Sequence, residues 1–167
     1  IPLKKSWSPK LMAKKSTATK NLVIVESPAK ARTISNFLGE EYTVIASVGH
    51  VRDLVSFGYG VDVKSGNFEP NYTIDKEKIE IVTKIKEAAK KAETVYLSTD
   101  PDREGEAISW HIVDAAEIPP EKTKRVVFHE ITKPAIEEAF ANPGDINRNL
   151  VEAQETRRVI DRLIGYP

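Results

Sequence analysis

The stretch TVYLSTDPDREGE, residues 94–106, decides the fold class of this chain. Its first five residues form the short, mostly apolar run that is typical of a strand. Acids then follow at every second position, Asp100, Asp102 and Glu104, and Pro101 disfavours helix at the first of them. In an extended segment this spacing places the three carboxylates on one side. We therefore predict an acidic cluster directly after a buried strand.

A fourth acid follows another strand. Residues 22–25 (LVIV) are fully apolar, which is typical of a central strand, and Glu26 comes directly after them. If the two strands are neighbours in a parallel sheet, all four carboxylates meet at one sheet edge. Crowded carboxylates repel one another, and a divalent cation relieves that repulsion. Ligands that are all oxygen favour Mg²⁺, so we predict a magnesium site here.

A charged loop that caps the next helix is the alternative. Acids near a helix N-terminus interact favourably with the helix dipole, which explains Glu104 or Glu106. It does not explain Asp100 and Asp102 as well.

Two further segments place cations near the same edge. Ser27 and Pro28 begin a helix, and Lys30 lies one turn into it, where backbone N–H groups and a lysine make a phosphate site. His50 and Arg52 follow the second predicted strand. The alternatives are a solvated helix lysine and a structural histidine.

The last predicted helix, residues 148–164, has a polar side opposite its apolar one. Its polar residues form two adjacent stripes, Gln154, Arg157 and Asp161, and then Arg158 and Arg162. Arginine is suited to bidentate phosphate contacts. The alternative is salt bridging within the helix, such as Arg157 with Asp161.

Strands and helices alternate along the chain. The predicted strands are 22–25, 42–48, 94–98 and 125–129. The predicted helices are 28–38, 75–91, 105–116, 132–141 and 148–164; residues 49–74 are predicted to be irregular. This order predicts an α/β fold, with a mostly parallel sheet of about four strands and helices on both faces.

Composition limits the function classes. The 167 residues include no cysteine, which excludes a thiol nucleophile and a cysteine-based zinc site, and no apolar run is long enough to span a membrane. Residues 1–20 hold six lysines and no acid, whereas the remaining 147 residues hold 19 basic and 25 acidic groups. We expect residues 1–20 to be a basic, flexible tail with a vector-derived part at 1–11. A natural arm that contacts phosphates is the alternative.

Five segments together resemble the N-terminal part of the bacterial type IA DNA topoisomerases. They are VIVESPAKA (23–31), SVGHVRDL (47–54), STDPDREGEAISWH (98–111), VVFHEIT (126–132) and AQETRRVIDRLIGY (153–166). The acidic pattern alone is unspecific, but its combination with Glu26 and the arginine-rich helix is highly specific. The resemblance implies a Toprim domain with a Rossmann-like sheet in residues 21–145. Residues 146–167 would be the first helix of the next, helical domain, which is truncated.

The same resemblance implies roles for individual residues. Glu26 is the Toprim glutamate, a proton carrier with a secondary contact to the metal as an alternative. The triad that binds Mg²⁺ is Asp100, Asp102 and Glu104. Lys30 contacts the scissile phosphate and Arg103 helps to position the active site. The residues that contact DNA are His50, Gln154, Arg157, Arg158, Asp161 and Arg162.

The implied activity is relaxation of negatively supercoiled DNA without ATP, and no P-loop motif is present. A tyrosine cleaves a single-stranded segment, forms a 5′-phosphotyrosine, and a second strand passes before religation. None of Tyr42, Tyr59, Tyr72, Tyr96 and Tyr166 has the sequence context of that nucleophile. The chain is therefore expected to be a fragment that is inactive alone. The full-length enzyme is expected to be a cytoplasmic, nucleoid-associated monomer with no membrane contact.

Two other functions remain open at this point. One is the Toprim domain of a primase or nuclease, against which the arginine-rich last helix argues. The other is a non-catalytic nucleic-acid-binding module. A reading frame that continues to a tyrosine-bearing domain would separate them from the topoisomerase.

Overall fold

The computed structural model describes residues 20–165. The basic tail predicted at 1–20, with the exception of Lys20, lies outside the described residues, as does Tyr166. In chain order the elements are β1 (Asn21–Val25), α1 (Pro28–Phe37), β2 (Tyr42–Ala46), β3 (Arg52–Leu54), β4 (Tyr72–Ile74), α2 (Ile79–Lys91), β5 (Thr94–Leu97), α3 (Arg103–Ala115), β6 (Thr123–Arg125), α4 (Lys133–Ala141) and α5 (Arg148–Leu163). Short 3₁₀ turns at Lys76–Lys78 and Pro120–Lys122 precede α2 and β6.

Four strands form a parallel sheet in the order β2-β1-β5-β6. β1 lies at its centre, so the strand that ends at Glu26 is the direct neighbour of the strand that ends before Asp100. The carboxyl ends of parallel strands meet at one edge, which is where ligands bind in such sheets. The predicted α/β fold is confirmed.

Helices cover both faces of this sheet. Leu22 and Ile24 of β1 pack into a core with α2 and α3, whereas Val23 and Val25 pack into a second core with α1 and α4. Successive side chains of a strand point to opposite faces, so a strand buried on both sides must be apolar throughout. Each such side chain contributes on the order of 2 kcal/mol when fully buried.

Helix α5 packs against α3. Val151 is fully buried, and the guanidinium of Arg148 lies 3.6 Å from the ring centroid of Trp110. Asn147 caps the helix by accepting hydrogen bonds from the N–H groups of Asn149 and Leu150. The division of the chain at residue 145 stays a prediction. No helix within residues 20–165 has both the length and the apolar character that spanning a membrane requires.

The structure corrects three local predictions. Residues 49–74 contain the antiparallel pair β3–β4, whose three-residue strands are too short to show a periodic pattern. β6 begins at Thr123 and ends at Arg125, earlier than the predicted strand 125–129. Buried and exposed side chains still alternate beyond β6, with Val126 and Phe128 buried. These residues are not part of the strand, because the pairing of β6 with β5 ends at Arg125.

The third correction concerns the acidic segment, which is not extended throughout. Asp102 is the N-cap of α3, since its Oδ1 accepts a hydrogen bond from the N–H of Gly105 at 2.7 Å. Glu104 therefore lies in the first helical turn. A Cβ on Gly105 would sit 1.9 Å from the carbonyl oxygen of Asp100, so only glycine permits this tight entry into the helix. Asp75, by contrast, makes no side-chain cap at the start of its helix.

Candidate metal and nucleic-acid site

Lys30 joins two of the predicted carboxylates at the carboxyl edge. Ser27 caps α1 and so fixes Lys30 one turn into the helix, above the end of β1. The Lys30 Nζ lies 3.0 Å from Glu26 Oε1 and 3.2 Å from Asp100 Oδ1. Its side chain is only 8% exposed and lies over the ring of Phe128. A buried ammonium must be paired, and here both partners belong to the predicted site.

The two carboxylates that share Lys30 differ in acidity. Burial raises the pKa of Glu26 above its ordinary value, against the opposing effects of a backbone hydrogen bond and Lys30. Burial acts on Asp100 in the same direction, but the hydrogen bond with Glu26 and the charge of Lys30 outweigh it and lower the pKa of Asp100. Glu26 is therefore the member of the pair that keeps a proton more readily.

Glu104 bridges two other elements of the site. His50 Nε2 lies 2.8 Å from Glu104 Oε2, and the Gln154 Nε2 donates to Glu104 Oε1 at 3.4 Å. The structure thus brings the loop after β2, the start of α3 and the middle of α5 together at one carboxylate.

The carboxylates fit a magnesium ion of the usual protein type. Within residues 20–165 no three acidic or histidine side chains converge closely enough to enclose a metal. Mg²⁺ does not require such an enclosure, because it keeps several waters and binds through one or two carboxylates together with phosphate. Asp100 and Asp102 are exposed at the edge, and the cap uses only one oxygen of Asp102.

Arg125 holds the acidic loop in place, and the sequence did not single it out. It is buried and donates to the carbonyl oxygens of Leu97, Thr99 and Asp100, at 3.1, 2.9 and 2.7 Å. Its Nε pairs at 3.0 Å with the buried Glu106. The only sequence signal was a charged residue beside an apolar run.

A cleft of about 280 Å³ opens beside this edge, between β3, β4, α3 and α5. Arg158, predicted to contact DNA, holds Asp53 there in a bidentate pair, with 2.9 Å from Nε to Oδ1 and 2.6 Å from Nη2 to Oδ2. Burial acts to raise the pKa of Asp53, but the bonds from Arg158 and the Leu54 N–H reverse this and lower it. Arg162 donates to the Val55 carbonyl oxygen at 2.9 Å. Both arginines therefore tie α5 to the segment around β3.

Arg52, expected from the sequence near this edge, lies behind the cleft with His111, which the sequence did not single out. Arg52 donates from Nε to His111 Nδ1 at 2.7 Å, pairs with Asp114 and lies over the ring of Tyr72. Burial, followed by the charge of Arg52, lowers the pKa of His111 to about 3. His111 is therefore a neutral acceptor at physiological pH, and it fixes the position of Arg52.

The remaining residues predicted to belong to the site, Arg103, Arg157 and Asp161, are exposed or half-buried. Arg103 is the first residue of α3, and Arg157 lies on α5; both are exposed. Neither has a hydrogen bond or ion pair within the described part of the chain, and the salt bridge considered between Arg157 and Asp161 does not form there. Asp161 is half-buried. Of the arginines predicted to act at the site, Arg103 and Arg157 are therefore the two that can bind an external anion without first breaking a contact.

Comparisons with known proteins agree with this geometry. A family model for the Toprim domain matches residues 21–131. DNA topoisomerase 1 of Campylobacter jejuni is 52% identical over 147 residues, which are 88% of this chain and 21% of that protein. Full-length topoisomerase I from Thermotoga maritima superposes with a TM-score of 0.79 at 46% identity, over 87% of this chain and 24% of that one. The chain thus spans about a fifth to a quarter of these relatives. It belongs to the Toprim domain family, in the form found at the N-terminus of bacterial type IA topoisomerases.

Proposed function

We propose that this chain supplies the magnesium-binding and acid–base half of the active site of an ATP-independent type IA topoisomerase. The observation that carries the proposal is Lys30, a buried cation set between Glu26 and Asp100 at the carboxyl edge of the sheet. A cation and a proton-carrying acid side by side are what cleavage of a phosphodiester needs. The substrate is a single-stranded segment of negatively supercoiled DNA.

Glu26 is the proton carrier of the reaction. A tyrosine elsewhere in the longer protein loses its phenolic proton to water and attacks the phosphorus, so that a bond to the tyrosine oxygen forms and the bond to the 3′ oxygen breaks. The departing 3′ oxygen takes a proton from Glu26, and the DNA is left as a 5′-phosphotyrosine and a free 3′-OH. After strand passage the 3′-OH attacks the phosphorus and returns its proton to Glu26, while the bond to the tyrosine oxygen breaks and the released tyrosine takes up a proton from water. The raised pKa of Glu26 supports this role.

Lys30 and Arg103 act on the phosphate. Lys30 offsets the charge that develops there, because a preorganised cation in a site with little water is most effective. Arg103 is exposed at the start of α3 and orients the same group. Asp100 and Asp102, with Glu104 behind them, would hold Mg²⁺, which when bound supplies further positive charge toward the phosphate.

The DNA strand runs along the edge that joins this site to α5. Arg157 is exposed on α5, His50, Gln154 and Arg158 line the cleft beside the edge, and Asp161 and Arg162 lie further along the same helix. Since Arg158 is paired with Asp53 and Arg162 with a carbonyl, few cations are free, and affinity of the chain alone is low. The longer protein acts as a monomer in the cytoplasm, associated with the nucleoid.

Two assays test the proposal. The chain alone, incubated with Mg²⁺ and negatively supercoiled plasmid, leaves the topoisomer ladder unchanged, because it contributes no nucleophile. In the longer protein, Lys30→Ala abolishes relaxation, whereas Lys84→Ala, a change on the opposite side of the fold in α2, does not. Relaxation by a clean preparation of the chain alone, or full activity of Lys30→Ala, would contradict the proposal.

A further inference from the structure

Val48 has a backbone conformation that valine rarely adopts. Its φ is +59°, in the left-handed region, where the side chain crowds the backbone and a β-branched residue suffers most. Such strain costs on the order of 1–3 kcal/mol and persists only where neighbouring contacts enforce it.

The contacts that enforce this turn connect it to the proposed catalytic acid. The Ser47 N–H donates to Val25 and continues the sheet, and the Gly49 N–H donates to the carbonyl oxygen of Glu26, both at 2.8 Å. The Ser47 hydroxyl closes the turn on the Gly49 carbonyl at 2.8 Å. Lys78 also donates to the Val48 carbonyl. The turn therefore has a fixed position relative to Glu26.

The side chain of Val48 is exposed in this turn. More than half of the residue, 53%, is open to solvent, and the turn leads directly to His50 at Glu104. Glycine would adopt the same φ without a steric cost, so packing and backbone geometry give no reason for valine here. What valine adds is an apolar surface beside the reacting groups.

The other positive-φ residues that are not glycine, Phe68 and Glu117, are not β-branched. Glu117 ends α3, where its N–H donates to the Asp114 carbonyl, a common way to terminate a helix. Phe68 is not β-branched and lines a groove against α5. Within residues 20–165, Val48 is the β-branched residue that has this strain together with an exposed side chain at the candidate site.

We infer that Val48 is a substrate-contact residue: its two methyl groups pack on the apolar face of a nucleotide, a deoxyribose or base, held at the edge beside Glu26. This inference rests on the proposed function, since it takes single-stranded DNA as the ligand. The phosphate is recognised by charge, and Val48 supplies the complementary apolar contact that a sugar or base can make. The turn holds these methyl groups in place before the strand arrives, which reduces the entropy lost on binding.

The test uses the whole chain and a single-stranded DNA of about 12 nucleotides, a length that covers one binding site. Nuclear magnetic resonance follows the valine methyl groups and the His50 ring during titration. We expect the Val48 methyl signals to shift and those of Val63, an exposed valine between β3 and β4, to stay in place. Val48→Gly and Val48→Ala should bind about fivefold to tenfold more weakly, as loss of two buried methyl groups predicts. Val48→Ile should bind like the unsubstituted chain, as should Val63→Ala.

The thermal stability of Val48→Gly distinguishes a DNA contact of Val48 from a purely structural role in the turn. Because glycine relieves the strain, Val48→Gly unfolds at the same temperature as the unsubstituted chain or at a higher one, although it binds more weakly. A drop of several degrees would mean that valine stabilises the turn, and would overturn the inference. Shifts at His50 without any at Val48 would also overturn it while leaving the proposed function intact. No shift anywhere on addition of DNA would remove the proposed DNA contact and the inference together.

Discussion

Arg125 and Glu106 form an ion pair that is almost wholly buried, with 3.0 Å between Nε and Oε1 and side-chain exposures of 2% and 6%. The remaining oxygen of Glu106 accepts the N–H of Asn147 at 3.2 Å, just before α5. Through Arg125 the same pair holds the carbonyls of the acidic loop. One pair thus links the candidate metal-binding loop to the last helix.

Removal of Arg125 should be strongly destabilising. Arg125→Met leaves the Glu106 charge buried without its partner, so the free energy of unfolding should fall by about 3–5 kcal/mol. Chemical denaturation measures the loss. Glu137→Gln is the matched control, because it removes the acid of the exposed Lys133–Glu137 pair and should cost less than about 1 kcal/mol. Equal losses in the free energy of unfolding for the two changes would show that the buried pair stabilises the fold no more than the exposed pair does.

Asp53 should limit the affinity of the chain for DNA. Its carboxylate occupies both arms of the Arg158 guanidinium, so Asp53→Asn should weaken that pair and release Arg158 for phosphate. We expect tighter binding of single-stranded DNA, by about threefold, and a steeper salt dependence by about one released counterion. Fluorescence anisotropy across salt concentration measures both. Asp62→Asn, in a turn away from Arg158, is the control. Unchanged binding by Asp53→Asn would assign Arg158 to a structural role alone.

His111 should make the fold sensitive to mild acid. Its pKa is lowered to about 3 in the folded chain, whereas in the unfolded chain it has the ordinary value near 6.5. Between these values the unfolded chain binds the extra proton, so stability is full above pH 6.5 and is lost as the pH falls. The slope should reach about 1.4 kcal/mol per pH unit. Denaturation at pH 7, 6 and 5 tests it. His111→Asn keeps an acceptor for Arg52 but does not titrate, so its stability should vary less over this range. Parallel curves for the two chains would contradict this prediction.

Glu26 and Asp102 should differ in their effect on magnesium. Asp102→Asn removes a charged ligand but keeps the α3 cap, because asparagine caps helices as well as aspartate does. Calorimetry should show Mg²⁺ affinity of this variant reduced by about tenfold or more, with fold stability unchanged or raised as repulsion is relieved. Glu26→Gln should largely keep Mg²⁺ affinity.

The longer protein then provides the kinetic comparison. Cleavage by the Asp102→Asn enzyme should be partly restored at high Mg²⁺, whereas Glu26→Gln should stay impaired because added metal does not replace a proton carrier. An equally severe loss of Mg²⁺ affinity in Glu26→Gln would make Glu26 a metal ligand first.

The amino-acid sequence by itself determined most of the helices, the strands β1, β2 and β5, and the edge at which the site forms, although not β3 and β4. An apolar run such as 22–25 is typical of a strand buried on both faces, and Ser27 caps its helix as predicted. Because consecutive strands joined by helices lie parallel, acids placed after them meet at one edge. These inferences depend on interactions between residues close in the chain, and such interactions leave a pattern in the sequence.

Only the tertiary structure decided which charged groups are paired. Arg158 meets Asp53 from 105 positions away, and Lys30 reaches Asp100 from 70. Glu104 was expected in an extended segment but lies in the first turn of α3. The helix begins before Glu104 because the Asp102 carboxylate caps the free N–H groups at its start. A charged side chain takes whichever partner the packed elements bring within about 3 Å, and no spacing in the sequence records that distance. The sheet edge was therefore predictable from the sequence, while the ion pairs of Lys30 and Arg158 and the hydrogen bond from Gln154 to Glu104 were not.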